Sequence, residues 1–354
     1  MKVSVARPQE LGESDMTRWR ELQRADPRLA SPFLSPEFTL AVARGRANVR
    51  VAVIEDESGA GYFAFERGRL GVGKPIGAGI CDCQAVVQSS GLNWDAKELL
   101  AECGLAVWEF DHLLAHQTTF APNHVVHAGS PVIDLSQGFA HYAAQHPHLD
   151  KDLRRAQRLL ERDFGEVKFA FESEDMECLR LLMRWKSAQY RRTGRFDRFA
   201  NRSVVQVVED LVATRATGCS GLLSVLYAGG QPVAIHLGLR SESVLSSWFP
   251  AYDLTFAKYR PGLVLLRRIA EASAAAGLSH IDLGKGQEPY KDDFKNAEIP
   301  VAEGWVERPT AAARLRRLQR APRRIVMDFV LGRPALRRGA RRALNGLGRV
   351  RMMG

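Results

Sequence analysis

Between residues 221 and 240 the sequence reads Gly221-Leu-Leu-Ser-Val-Leu-Tyr-Ala-Gly-Gly-Gln-Pro-Val-Ala-Ile-His-Leu-Gly-Leu-Arg240, followed shortly by Val244-Leu-Ser-Ser-Trp-Phe249. Apolar residues alternate with other types in this region, which is the period of a β-strand. The glycine pair at 229 and 230 is typical of a tight hairpin turn. We therefore predict a meander of three consecutive strands, Gly221–Tyr227, Pro232–Arg240 and Val244–Phe249.

Helical patterns flank this meander on both sides. The periodicity of apolar residues predicts three helices before it, at Lys151–Arg162, at Asp175–Tyr190 and around Val204–Leu211. After the meander, Pro261 favours the first position of a helix and Gly277 supplies a stop. A last strand is predicted at His280–Leu283. This order of elements predicts an α/β fold with a mixed sheet.

The first half of the chain also combines helix and strand patterns. Ser35 can cap, and Pro36 can open, a helix that runs to Arg44. Three strands are predicted after it, at Arg50–Ile54, Gly61–Glu66 and Val132–Leu135. The first two surround an Asp-Glu-Ser-Gly turn, so this half is predicted to begin a mixed sheet with a hairpin.

The positive charge of the chain is concentrated at its C-terminal end. The formal net charge is +10, yet residues 308–354 hold 14 arginines and a single acid, Asp328. The remaining residues are close to neutral, which excludes a uniformly basic nucleic-acid-binding fold and favours an enzyme with a basic extension. The apolar stretch at 325–331 could form an amphipathic segment that contacts anionic membrane lipid. A merely solvated tail and RNA contact remain alternatives, although we expect no specific nucleic-acid partner.

The sequence predicts a cytoplasmic protein, at most peripheral to the inner face of a membrane, because no leader-like or membrane-spanning apolar stretch occurs. Its five cysteines are scattered, which fits a reducing compartment. Cys81 and Cys83 alone are a weak indication of a metal. His112 and His116 have zinc-protease spacing, but Leu113 replaces the glutamate that such a site requires. We therefore expect no metal.

Two residues of the meander region are candidate proton acceptors. Alternation along Pro232–Arg240 puts the larger apolar residues on one face: Val233, Ile235, Leu237 and Leu239. His236 then leaves this apolar side, as either a hydrogen-bonded structural residue or a catalytic base with a pKa near neutrality. Asp253, at the end of Trp248-Phe-Pro-Ala-Tyr-Asp253, is either a site acid or a turn cap.

Two further segments carry chemistry. Tyr259-Arg-Pro-Gly262 opens a helix, whose free N–H groups and positive dipole end favour a pyrophosphate, and Arg260 adds charge. The strand at His280–Leu283 runs into a glycine-flexed loop that carries Lys285, Tyr290 and Lys291. Such loops commonly hold functional side chains.

The motifs that carry a resemblance are Trp185-Lys-Ser-Ala-Gln-Tyr-Arg-Arg-Thr-Gly194, Val233–Arg240, Trp248–Asp253 and Asp282-Leu-Gly-Lys-Gly286 with Tyr290 and Lys291. Together they resemble the CelD-like polysaccharide-biosynthesis acetyltransferases of the GNAT superfamily, which are related to the Fem-type peptidyltransferases. Segments of the first half extend the resemblance over about 19–295. It implies two tandem GNAT-like domains, a degenerate one at 1–145 and a catalytic one at 146–306, with an Arg-rich tail at 307–354.

The resemblance also implies roles for individual residues. Base or acid catalysis falls to His236, Asp253 and Tyr290. Acyl-CoA, most simply acetyl-CoA, is expected as co-substrate at Tyr259, Arg260, Gly262 and Leu263. Substrate contacts are expected from Trp185, Lys186, Tyr190, Arg240, Tyr252, Lys285 and Lys291. The superfamily's usual phosphate loop is absent, since only Arg260-Pro-Gly262 occupies the equivalent place.

The function that follows is N-acyl transfer from CoA to an amine acceptor, a small molecule or amino sugar linked to surface polysaccharide biosynthesis. One alternative is Fem-like transfer of an aminoacyl group from charged tRNA. Another is a noncatalytic scaffold in a polysaccharide-synthesis complex, with the fold retained for binding.

Overall fold

The computed structural model of the protein describes residues 1–286 and 288–319. The strands of this part are β1 (Lys2–Ala6), β2 (Val49–Asp56), β3 (Gly59–Arg67), β4 (Val72–Pro75), β5 (Val87–Gln88), β6 (Val107–Leu114), β7 (His124–Asp134), β8 (Val167–Ala170), β9 (Ser220–Ala228), β10 (Gln231–Arg240), β11 (Val244–Tyr252), β12 (His280–Asp282) and β13 (Ala297–Glu307). The helices are α1 (Glu13–Ala25), α2 (Pro36–Gly45), α3 (Ala96–Glu102), α4 (Phe139–Gln145), α5 (Pro147–Phe164), α6 (Met176–Arg192), α7 (Arg202–Ala213), α8 (Pro261–Ala275) and α9 (Pro289–Phe294). All the helices and strands predicted above are present, several with wider bounds.

The strands form one mixed sheet, which confirms the predicted fold class. Their order is β1-β2-β3-β4-β6-β13-β7-β12-β11-β10-β9-β8, and β5 pairs with β3 off this path. The pairs β4–β6 and β11–β12 are parallel, and the neighbouring pairs of the meander are antiparallel. The last strand, β13, lies between β6 and β7. The two halves of the chain therefore share a continuous sheet, and the division at residue 145 stays a prediction.

Strand β10 is covered on both faces, where the alternation had placed the larger apolar residues on one. Ile235, Leu237 and Leu239 pack with α6 and α7 in one core. Val233 instead joins Ala234 in the other core, against α5 and α8, because the register with β9 shifts between Pro232 and Ala234. A strand with helices over both faces buries every position, so alternation loses its meaning there.

The chain after β13 is described as far as residue 319. Residues 311–319 are helical, and Arg316 donates to both carboxylate oxygens of Glu109, at 2.8 and 2.7 Å. The apolar stretch at 325–331, for which lipid contact was one alternative, lies outside the described residues. Within those residues, every helix is too short or too polar to cross a bilayer.

Candidate functional site

The main cavity lies where β11 and β12 part. The two strands pair in parallel over Val244–Ser246 and His280–Asp282, after which β11 continues to Tyr252 while the chain leaves β12 for a loop. A cavity of about 1040 Å³ opens between the end of β11, that loop, α6 and the start of α8. A gap between parallel strands is a natural place for an extended ligand to add as a strand.

Pro250 and Lys186 shape the open edge of β11. Pro250 has no N–H and cannot donate to a neighbouring strand. Its carbonyl accepts a hydrogen bond from Lys186 Nζ at 2.9 Å. Burial, together with the charges of Arg198 and Arg195, lowers the pKa of Lys186 to about 8. A half-buried ammonium thus reaches the strand edge at the cavity wall.

His236 lines the cavity from β10 and is nevertheless 3% exposed. Its Nε2 lies 2.9 Å from Ser247 Oγ on β11, and in the described part of the chain its buried Nδ1 has no hydrogen-bond partner. Burial, and then the charge of Lys186, lowers the pKa of His236 to about 4. Of the two alternatives left open by the sequence, a base with a pKa near neutrality does not fit this lowered pKa, because water is removed from the ring and a cation lies close by. At neutral pH His236 is a neutral imidazole.

Asp253 lines the cavity and caps the turn that follows β11. Its carboxylate accepts from the backbone N–H and from the hydroxyl of Thr255, each at 2.8 Å. Of the two alternatives left open by the sequence, the structure shows the cap. Tyr252, its neighbour, is 39% exposed and lies against Gly262, where an added Cβ would be 3.3 Å from the ring.

Arg260, Gly262 and Leu263 bring the start of α8 to the cavity. Arg260 is the N-terminal cap residue of α8 and has a left-handed backbone, with φ of 53°. The N–H of Leu263 already donates to the Arg260 carbonyl at 3.0 Å. The helix dipole and the Arg260 guanidinium therefore provide the positive charge here, more than a row of free N–H groups.

Two predicted site residues are not brought into the cavity. Tyr259 is buried, and its hydroxyl donates to Asp163 Oδ2 at 2.6 Å. Arg240 lies at the far end of β10, where it pairs with Glu172 at 2.5 Å. Neither residue lines the cavity.

The loop after β12 and the α9 helix supply the cavity with lysines and a phenol. Lys291 Nζ donates to the Gly284 carbonyl at 2.8 Å and lies 3.3 Å from Glu288. Lys285 pairs with Glu303 of β13 at 2.6 Å. Burial raises the pKa of Tyr290 to about 12. Tyr290 thus keeps its proton at neutral pH, and its hydroxyl can donate a hydrogen bond. Trp185 and Tyr190, also predicted, line the cavity from α6.

Asp82, from the first half of the chain, lines the same cavity and was not predicted. It stands between the buried residues Cys81 and Cys83, and its own side chain is 26% exposed. The loop is fixed to the second half by Trp248, whose Nε1 donates to the Ile80 carbonyl at 2.7 Å. Burial raises the pKa of the Asp82 carboxyl. The spacing Cys81-Asp-Cys83 was the available signal.

Three arginines at the end of α6 and in the turn beyond it were also missed as site residues. Arg192, Arg195 and Arg198 all line the cavity. The run Arg192-Thr-Gly-Arg-Phe-Asp-Arg198 signals them only by its density of charge. Within the described residues, seven cationic side chains and three carboxylates line the cavity, so it favours anionic ligands.

Comparisons with known proteins show similarity in sequence and in fold. Residues 148–292 match the family model described as acetyltransferase (GNAT) domain. This segment, less than half of the chain, is similar to a GNAT domain. It contains the lining residues contributed by the second half of the chain, while Asp82 lies before it. Among curated proteins no sequence relative matches the chain.

Solved structures extend the similarity beyond that domain. FemX covers 86% of this chain and is itself covered to 96%, with a TM-score of 0.58 and 9% sequence identity. The C-terminal domain of a putative lysylphosphatidylglycerol synthetase from Agrobacterium fabrum gives 0.54 at 14% identity, covering 87% of this chain and 96% of that one. A conserved protein of unknown function from Bacteroides thetaiotaomicron gives 0.53 at 11% identity, covering 82% and 96%. At such identities the likeness shows the fold alone.

Proposed function

We propose that the protein transfers an acyl group from acyl-CoA to an amine. The observation that carries the proposal is the cavity at the parting of β11 and β12, within the segment that matches the GNAT domain. An extended pantetheine arm can add along the open edge of β11. Its pyrophosphate can rest at the start of α8, beside Arg260. Here Arg260, Gly262 and Leu263 hold the donor.

The acceptor enters as an ammonium and must lose a proton before it attacks the thioester. Of the three carboxylates that line the cavity, Asp253 accepts hydrogen bonds as a cap, and Glu288 lies 3.3 Å from Lys291 and 3.4 Å from Arg195. Asp82 has His112 Nε2 as its nearest ion-pair partner in the described chain, at 3.9 Å. Asp82 is therefore the carboxylate left to receive the ammonium, with His236 as the neutral base candidate.

The proposed reaction forms a C–N bond and breaks the C–S bond of the thioester. Two protons leave the acceptor nitrogen, the first to the base before attack and the second as the tetrahedral intermediate collapses to the amide. The departing thiolate takes a proton from the Tyr290 hydroxyl, and the second nitrogen proton restores that hydroxyl. Solution thiols have a pKa of roughly 8.5, so this leaving group needs little help. The role of Tyr290 is thus to supply a proton to the thiolate as the C–S bond breaks.

For the acceptor we propose an amino sugar of surface polysaccharide synthesis, in line with the CelD-like resemblance. The likeness to FemX supports a second candidate, Fem-like transfer of an aminoacyl group, since the same fold would serve. Contact of the arginine-rich tail with anionic lipid is likewise a proposal. A noncatalytic scaffold would keep the fold without affinity for acyl-CoA.

Calorimetric titration of acetyl-CoA and longer acyl-CoAs into the full chain tests the donor assignment. We expect saturable micromolar binding, weakened roughly tenfold in Arg260→Gly, because a cation beside the pyrophosphate is lost. Since φ of Arg260 is 53°, glycine removes backbone strain there, and the variant is expected to be more stable by about 1 kcal/mol. Weaker binding by a more stable protein cannot come from unfolding.

Arg240→Gln is the matched control, because Arg240 lies outside the cavity, and it should bind acyl-CoA as the unsubstituted protein does. Absence of binding for every acyl-CoA would overturn the donor assignment and leave the aminoacyl-tRNA and scaffold alternatives. RNase sensitivity of transfer activity would then separate those two.

A further inference from the structure

A second concentration of positive charge lies at the C-terminal end of α6. Arg192 ends this helix, and Arg195 and Arg198 follow in the next turn. All three line the cavity together with Lys186, which lies earlier on α6. Arg195 pairs with Glu288, at 3.4 Å. The positive charge of Arg198 acts to lower the pKa of both Asp82 and Tyr190. We call Lys186, Arg192, Arg195 and Arg198 the α6 cationic cluster.

The turn that carries the cluster is held by Asp197. Its Oδ1 accepts from Ser187 Oγ at 3.0 Å and from the Phe199 N–H at 3.2 Å, and its Oδ2 accepts from Arg191 at 3.2 Å. The Phe199 ring packs on Phe249 of β11, with centroids 4.9 Å apart. The arginines are thus presented by a fixed backbone, which lowers the entropy lost when a ligand binds.

Nearby carboxylates balance the charge of the cluster only in part. Glu288 is shared between Arg195 and Lys291, and within the described chain neither Arg192 nor Arg198 forms an ion pair. Lys186 has a neutral carbonyl as its hydrogen-bond partner. Its lowered pKa, which follows from burial and from the charges of Arg198 and Arg195, reports the same imbalance. An anion bound between these side chains would relieve their mutual repulsion.

We propose that the α6 cationic cluster binds a phosphate group of the acyl acceptor, so that the acceptor is an amine carrying a phosphate or diphosphate. The identity of the ligand as the acyl acceptor rests on the proposed function. The anion site itself rests on the α6 cationic cluster alone. Arginine presents paired donors that match phosphate oxygens. The cluster faces Asp82 and Glu288, whereas the donor pyrophosphate is assigned to Arg260 at the start of α8. The donor pyrophosphate and the acceptor phosphate thereby bind at separate places. Asp82 lies near the acceptor phosphate, where it can receive the ammonium of the acceptor.

The test is titration of inorganic pyrophosphate, inorganic phosphate and succinate into the full protein, with and without saturating CoA. We expect 1:1 binding of pyrophosphate that persists when CoA is present, and weaker binding of succinate. The double variant R195Q/R198Q should lose at least about tenfold in affinity for pyrophosphate. Arg180→Gln, on the same helix but outside the cavity, is the matched control and should bind normally.

Lys186 supplies an independent readout through proton uptake. Its pKa is about 8 in the free protein, and a bound anion raises the pKa of a neighbouring ammonium. Pyrophosphate binding at pH 8.5 should therefore take up protons, seen as a heat that changes with the ionisation enthalpy of the buffer. In Lys186→Met this uptake should disappear. A variant that merely disturbs the fold would not remove the buffer dependence selectively.

The inference would be overturned if pyrophosphate no longer bound in the presence of CoA, or if R195Q/R198Q bound pyrophosphate with unchanged affinity. Equal affinities for succinate and pyrophosphate would overturn it as well. The proposed function is judged separately by the titration of CoA without pyrophosphate. Loss of CoA affinity in Arg260→Gly with pyrophosphate binding unchanged would support both. Pyrophosphate binding at the cluster in a protein without affinity for any acyl-CoA would leave the anion site standing and remove the acyltransferase proposal.

Discussion

The imidazole of His236 is almost fully enclosed between β10 and β11, with one ring nitrogen against Ser247 Oγ. Its pKa of about 4 in the folded protein lies below the ordinary value of 6.5. The folded state therefore favours the neutral ring, whereas the unfolded chain takes up a proton as the pH falls below about 6.5. The stability linked to His236 is present above that pH and is lost as the pH falls towards 4.

We expect His236→Gln to remove part of the acid sensitivity of the protein. The free energy of unfolding of the unsubstituted protein should fall between pH 7.5 and 4.5, with up to about 3 kcal/mol of that fall due to His236. Urea unfolding at both pH values measures the difference. His148→Gln, at an exposed histidine, should keep the full fall. An equal pH dependence in His236→Gln and the unsubstituted protein would contradict the assigned pKa.

Single site residues could be predicted where a local pattern marks them. Arg260 and Gly262 follow from a proline that opens a helix, and the structure brings both to the cavity. Asp82 and Arg198 could not be predicted, because their positions depend on pairing between distant segments. The environment of His236 was equally hidden, since alternation gives the face of a strand and says nothing of the helices that cover it.

Strand β13 is the element that completes the sheet. It pairs with β6 over Val107–Leu114 on one side and with β7 on the other, and its Ala302 and Val306 are buried in the core of the first half. Removing it would expose two long strand edges and the apolar side chains beneath them.

A chain shortened to residue 296 is therefore expected to aggregate or to lack a cooperative melting transition. A chain shortened to residue 319 keeps β13 and the Arg316–Glu109 pair, and should melt within a few degrees of the full protein. Circular dichroism and size-exclusion chromatography measure both outcomes. A monomeric, folded protein ending at 296 would show that β13 is dispensable.

At the level of elements, local chemistry predicted most helices and the meander. Pro261 and Gly277 bound α8 closely, and Ser35 caps α2 through the Phe38 N–H at 3.0 Å. The position of β13 could not be predicted, because strand order depends on which edges lie free after folding. The tandem division at residue 145 rests on the resemblance, and the continuous sheet neither requires nor marks that boundary.

Across the whole molecule the two halves share one apolar core. Phe33 and Phe38 of the first half pack against Trp248 of β11, with ring centroids 6.0 and 6.5 Å apart. The same core contains residues of α2 and α7. Aromatic contacts of this kind add about 0.5 to 1.5 kcal/mol each beyond burial. The halves are thus expected to unfold together.

We expect one unfolding transition, with tryptophan fluorescence and circular dichroism giving the same midpoint in urea. Trp248→Phe should lower the midpoint in both signals alike, by a loss of about 1 to 3 kcal/mol, because the Ile80 hydrogen bond and buried area are lost. Leu318→Ala, at an exposed position, is the control and should leave the midpoint unchanged. Two separate transitions would mean that the halves fold independently.

The place of β13 also bears on how the chain folds as it is made. Synthesis runs from the N-terminus, so β6 and β7 leave the ribosome long before the strand that belongs between them. The place of β13 between β6 and β7 stays empty until the meander, α8 and β12 have been made. Folding then depends on contacts between residues far apart in the sequence and is expected to be slow. We expect it to depend on chaperones until β13 has been synthesised.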